Sequence, residues 1–202
     1  GNHTVSLTRV DAENLAPTDI VLSNMVAIPE IMLDRVKVAD LLVIDPNLDA
    51  DKRQNVLTVS DGRFEIDPID GALYRKAGVA LDFETEPTID LTITATDGSL
   101  VFEKQISIEV SDANDTPQGG VSIVGDAAEN QMLSSDVSTL VDPDGLGTLG
   151  YQWQRDTGSG FSDIAGATAS TYTLTDDDAG ALVRVVVSYI DLGGTPESVA
   201  SA

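Results

Sequence analysis

The chain has 202 residues, 42% hydrophobic and 22% charged, a globular rather than a disordered composition with room for one or two domains. Its 34 acidic and 11 basic residues give a net charge of -23, so nucleic-acid backbones and anionic membranes are repelled. The absence of cysteine removes disulfides, thiolate zinc sites and cysteine nucleophiles, and a single histidine, His3, cannot build a triad or an imidazole-based metal centre.

Short alternating runs predict strands, in chain order, at 4–10 (TVSLTRV), 90–96 (DLTITAT), 104–110 (KQISIEV), 120–125 (GVSIVG), 151–154 (YQWQ), 170–175 (STYTLT) and 182–190 (LVRVVVSYI). Between the runs lie DPNLDAD, SDGR, DPIDG, TDGS, DPDGLG, TGSG and DLGG, whose Asp, Asn, Gly and Pro content is turn chemistry. No stretch reads as an amphipathic helix of ten residues, and no apolar run approaches the ~18 residues that span a bilayer. No signal peptide is visible, so the chain is expected to be a piece of a longer protein. The expected fold class is all-β: two tandem Greek-key β-sandwich domains.

The sharpest boundary is TPQGG, Thr116 to Gly120. Residues 1–118 hold nine of the eleven basic residues, and only Arg155 and Arg184 lie beyond. A second junction is expected near DAENLAPTDIVLS, 11–23, which repeats the pattern of a strand ending in Val, then acids, then Pro. The expected domains are therefore 1–14, the end of a preceding repeat or a linker; 15–117; and 118–202. This reads as a slice of a repeating array.

Acids in the first block cluster at turns. They are Glu30 in IPEI, Asp45 and Asn47 in IDPN, Asp82 and Glu84 in LDFE, Asp97 in ATDGS, and Asp112, Asn114 and Asp115 in DANDTP. In this order they resemble the motifs of a cadherin repeat: the Glu motif, DxD, LDRE, AxDxG and the DxNDxxP linker. FEIDPIDGALY followed by LDFE also resembles the bacterial cadherin-like pattern of a Phe-containing strand, a glycine turn and a further strand. The resemblance covers about half the chain.

It implies calcium as cofactor. A calcium ion takes six to eight oxygens at roughly 2.3–2.6 Å, more than one loop supplies here. By the family pattern, Glu30, Asp82 and Glu84 converge at the lower end of the block, Asp115 bridges ions there, and Asn114 helps hold the ion nearest the next domain. Ala113 contributes a backbone carbonyl, and Asp112 either joins the ligands or only orders the linker. Asp45, Asn47 and Asp97 serve the opposite end, with Asp11 and Glu13 near it. The family usually has Asp where Asn47 stands, which lowers the ligand charge at that upper site. An EF-hand reading of DPNLDADKRQNV fails, because Ala50 stands where Gly is needed and Val56 where Glu is needed. The GGxGxD nonapeptide of a β-roll is absent.

The second block, from YQWQRD to YID, resembles bacterial immunoglobulin-like repeats, so the expected order is cadherin-like then Ig-like. Trp153 is expected in the core of a middle strand, with Tyr151 on the same face. Leu182 stands where that family's corner tyrosine would be. VDPDG and YIDLGG echo the DxD and AxDxG elements, so Asp142, Asp144 and Asp191 either complete a calcium shell begun by 112–115 or simply form good turns. Asp176 to Asp178 are expected as a solvated turn with a capping role.

Two functional classes follow. One is a calcium-rigidified structural module of a large RTX-type bacterial cell-surface or secreted adhesin, extracellular and non-enzymatic, whose partners are calcium and neighbouring repeats. The other is a module that itself binds extracellular polysaccharide or a partner cadherin-like domain of another adhesin, with Phe161 or Tyr172 as first candidates if exposed. An accessory domain of a polysaccharide-degrading enzyme is a third possibility. Nothing marks one carboxylate pair as a glycosidase pair.

Overall fold

The computed structural model describes residues 13–47 and 55–202. The strand expected at 4–10, His3 and Asp11 lie outside the described residues. The chain divides into two compact units between Ala113 and Asn114.

In the first unit, β-branched runs form β1 (Asp19–Ser23), β2 (Ile28–Pro29), β3 (Val36–Ile44), β4 (Val56–Val59), β5 (Phe64–Ile66), β6 (Leu73–Arg75), β7 (Thr88–Asp97) and β8 (Leu100–Ser111). They make two four-stranded sheets, β1-β3-β6-β5 and β2-β8-β7-β4. The chain changes sheet between β1 and β2, β2 and β3, β3 and β4, β4 and β5, and β6 and β7, as a Greek-key sandwich requires. The longest ladder joins β7 to β8 in antiparallel register from Thr88↔Glu109 to Asp97↔Leu100. Alternation on β7 sends Ile89, Leu91, Ile93 and Ala95 inward, where they meet Ile20, Ile28, Val38, Phe64, Leu73, Ile108 and Val110. β2 joins β8 in parallel, pairing Ile28 with Val110 and Pro29 with Ser111. That pairing sets Glu30 beside the exit of β8, where the linker begins.

In the second unit, β9 (Ser122–Val124), β10 (Met132–Asp136), β11 (Gly150–Asp156), β12 (Ser162–Asp163), β13 (Thr171–Thr173), β14 (Leu182–Ile190) and β15 (Pro196–Ala200) form the sheets β13-β10-β9 and β12-β11-β14-β15. Trp153, on β11 between β12 and β14, is fully buried with Leu133, Leu174, Val185 and Val187. Its indole N–H donates to the Ala169 carbonyl at 2.9 Å, and Tyr172 packs on it with ring centroids 5.6 Å apart. Tyr151 packs against the same cluster.

The three-aspartate run forms a short 3-10 turn at Asp176–Asp178, capped by Thr175. Capping is as expected, but full solvation is not. Asp178 is buried, accepts the Thr175 N–H and the Tyr172 hydroxyl, each at 2.8 Å, and pairs with Arg155 at 2.6 Å. Burial opposes its ionisation, but these donors together hold its carboxyl below the usual carboxylate value. Leu182, expected where a corner tyrosine would stand, is exposed.

Candidate metal centre

Three carboxylates converge at one end of the first unit. Glu30 follows β2, and Asp82 and Glu84 sit in the turn between β6 and β7. Each offers an oxygen, and these oxygens lie within 4.8 Å of one another. Glu84 and Asp112, at the end of β8, likewise present oxygens within 4.8 Å. Glu30 is 4% exposed, whereas Asp82 and Glu84 face solvent.

The local sequence explains the arrangement. Asp82 Oδ1 accepts the Thr85 N–H at 3.0 Å, and its carbonyl accepts the Glu86 N–H at 2.9 Å, which folds LDFETE into a turn. Glu30 accepts the Phe83 N–H on Oε2 at 2.6 Å and the Ala113 N–H on Oε1 at 2.7 Å. One buried carboxylate thus joins the Asp82–Glu84 turn to the first linker residues. Two carboxylates this close repel by about 1 kcal/mol in water, and by about 3–4 kcal/mol at the effective dielectric of a protein surface. A divalent cation reverses that sign, and carboxylate oxygens are the donors that calcium takes.

The opposite end of the unit links Asp45, Asn47 and the Glu13 backbone by hydrogen bonds. Asp45 closes an Asx turn, its Oδ1 accepting the Asn47 N–H at 2.8 Å, while its Oδ2 accepts from Asn55 at 3.0 Å. Asn47 pairs with Leu15 and Glu13 through its amide. Asp97 is 5% exposed, and among the described residues its Oδ2 meets no hydrogen-bond donor. A buried carboxylate oxygen without a donor fits a cation. The partner that sequence reading missed is Asn55, which lies ten residues along the chain from Asp45 and carries no local signal.

The second unit carries its own set. Asp115 donates its N–H to Asp144 Oδ2 at 2.6 Å, and Asp144 donates its N–H to Asp142 Oδ1 at 3.0 Å. Asp142 Oδ2 accepts the Tyr189 hydroxyl at 2.6 Å; burial, and then this bond, push the Tyr189 phenol above its usual value. Asp191 accepts the Thr195 N–H on Oδ1 at 2.7 Å, and its Oδ2 is buried without a donor among the described residues. Asn114 donates to Glu197 on β15 at 3.0 Å. Glu197 was not among the expected site residues, because only its strand pairing opposite Tyr189 brings it near. So Asp142 and Asp144 do form a turn, and Asp115 is bonded to it.

Of the two aromatics named for a sugar platform, Tyr172 packs on core Trp153. Phe161 is exposed, with the Arg184 guanidinium 4.1 Å from its ring centre. Arg184 Nε donates to Gln154 Oε1, and Gln154 donates to Asp163, both at 2.7 Å, along one cross-strand row of β12, β11 and β14.

The fold has solved counterparts among cadherin ectodomains. Extracellular cadherin domains 3–6 of protocadherin gamma B2 match with a TM-score of 0.58 at 17% identity, over 94% of this chain and 50% of that one. Domains 1–4 of protocadherin gamma B7 match with a TM-score of 0.59 at 18% identity, over 90% of this chain and 48% of that one. Domains EC22–24 of mouse cadherin-23 match with a TM-score of 0.52 at 18% identity, over 89% of this chain and 60% of that one. The chain thus spans about half the length of the first two. The shared feature is the fold: all-β, sandwich-built and cadherin-like. No family model and no curated protein matches the chain. Among the described residues no helix is long and apolar enough to cross a membrane.

Proposed function

We propose that this chain is a calcium-binding structural module of a large bacterial cell-surface or secreted adhesin of the RTX type, cadherin-like in its first block and immunoglobulin-like in its second. The observation that carries the reading is the convergence of Glu30, Asp82 and Glu84 at the linker. Asp112 and the Ala113 carbonyl are the further proposed ligands of the first unit. Asn114, Asp115, Asp142, Asp144 and Asp191 are those of the second; Asp45, Asn47, Asp97 and Glu13 are those proposed for the upper end, and Asp11, outside the described residues, is proposed with them from the family pattern alone. Calcium would cancel the repulsion among the acids and stiffen the Asp112–Ala113 segment, which Glu30 already holds through the Ala113 N–H. The linker would be loose without the ion and stiff with it, as a stalk in cell adhesion or aggregation requires. No side chain is assigned a catalytic role.

Calorimetric titration tests this with calcium, and with magnesium for comparison, against wild type and Glu84→Gln. Calcium binding that the substitution weakens at least tenfold is the expected outcome. No heat with calcium, or equal binding by both proteins, refutes the metal assignment.

A second reading rests on the Phe161–Arg184 stack. With Nε anchored on Gln154 and its plane against Phe161, the guanidinium presents a preorganised edge suited to a carboxylate of an acidic polysaccharide. Arg184→Lys keeps the charge and removes the fork. If retention of wild type in a polygalacturonate affinity gel is absent, or unchanged by this substitution, the reading fails.

A further inference from the structure

Asn47 is 2% exposed, and both ends of its amide are used. Oδ1 accepts the Leu15 N–H at 3.0 Å, and Nδ2 donates to the Glu13 carbonyl at 3.3 Å. Its own N–H is turned onto Asp45 Oδ1 at 2.8 Å, which holds the side chain in place. The amide thus pairs with a donor and an acceptor of the 13–15 backbone, as a neighbouring strand would. A carboxylate at this position could accept from Leu15 but could not donate to Glu13, and it would set its negative charge against that carbonyl.

We infer that Asn47 is a cation-independent clamp that ties the 13–15 segment to the end of β3. The two ends of the first unit then differ in kind. The end at Glu30, Asp82 and Glu84 gathers charges that repel until a cation arrives. The end at Asn47 is closed by a neutral amide already satisfied by protein groups. Calcium would change the order of the acidic end, and at the upper end, even if held by Asp45 or Asp97, it would leave the two Asn47 bonds as they are. The clamp follows from Asn47 geometry alone, so it stands whether or not calcium occupies the acidic end.

Amide hydrogen exchange on the whole chain reports both ends at once, through the Leu15 N–H at the clamp and the Ala113 N–H at the acidic end. In wild type, Leu15 protection is expected to be equal in calcium and in chelator, while Ala113 is protected more in calcium. Asn47→Leu, which breaks both bonds, should speed Leu15 exchange at least tenfold in both conditions, with the amides of Ile93 and Ile108 unchanged as proof of folding. Asn47→Asp should speed it in chelator and regain protection with calcium. Leu15 protection in wild type that appears only with calcium overturns the clamp, as does an Asn47→Leu protein that protects Leu15 normally. If Asn47→Leu does not fold, the wild-type comparison of calcium with chelator still decides. An Ala113 amide indifferent to calcium counts against the calcium proposal and leaves the clamp standing.

Discussion

Glu30→Gln and Glu84→Gln separate two roles that one acidic cluster combines. Glu30 accepts two part-buried backbone N–H groups, from Phe83 and Ala113, with one oxygen each. The glutamine amide keeps one acceptor and turns a donor against the other N–H. One charge-assisted bond, worth about 1.5–3 kcal/mol, is lost, and one part-buried N–H is left facing a donor at a further cost of about 1–3 kcal/mol. Allowing for relaxation, unfolding of the first unit is expected to lose about 3 kcal/mol even without metal. At about 4–6 °C per kcal/mol for a domain of this size, the midpoint in chelator falls by about 12–18 °C. Glu84 is solvent-facing, so Glu84→Gln should leave the chelator midpoint within about 3 °C. On the calcium proposal, calcium at a hundred times its dissociation constant would stabilise wild type by about 2.7 kcal/mol, a rise of about 11–16 °C that a tenfold weakening by Glu84→Gln would cut to about half. The assay is thermal unfolding followed by circular dichroism, in chelator and in excess calcium. An unmoved chelator midpoint for Glu30→Gln would show that its two backbone bonds do not support the fold, and the assignment of Glu30 as the link between turn and linker would fall.

Other outcomes follow from the second unit. Asp178 has a folded pKa below its ordinary value of 3.8, so its stabilising contribution is complete above that value and is lost as pH falls through the lower folded one. Asp178→Asn should therefore lower stability at neutral pH and flatten the stability profile below pH 3.8; an acid limb as steep as in wild type would contradict this. A Cβ added at Gly147 would lie 1.8 Å from the Ile190 carbonyl oxygen, so Gly147→Ala should cost at least ~2 kcal/mol in urea unfolding. Gly62→Ala in the first unit, with nothing within 4 Å among the described residues, should shift stability by no more than ~0.5 kcal/mol, and equal effects at the two sites would refute the close-approach explanation. Trp153→Ala empties the fully buried core position and orphans the Ala169 carbonyl, so a loss of about 3–5 kcal/mol is expected, and a loss under 1 kcal/mol would mean that the core closes over the gap.

Local chemistry made much of this protein legible before its fold was known. The runs that became β7, β8, β11 and β14 alternate in sequence because one face of each is buried, and period two is a property of the chain itself. Acids beside Gly and Pro marked the turns, since Asp and Asn bond their own backbone two residues on, as Asp45 does to Asn47 and Asp142 to Asp144. Strands β1 to β4, β10, β12 and β15 were not singled out. In β3, KVADLLVI breaks its alternation at a register shift between Lys37 and Ala39, which only pairing with β6 reveals. Arg75 could not be read as buried, because its charge is met by the carbonyls of Asp34 and Val79, which the tertiary fold brings to it. The same holds for Asp178, which looks like a surface acid until Arg155, 23 residues upstream, closes over it. Residue type decided which groups could bond or bind a cation. Their meeting depended on strand pairings across long stretches of chain, and those contacts are non-local, so only the folded sandwich set them.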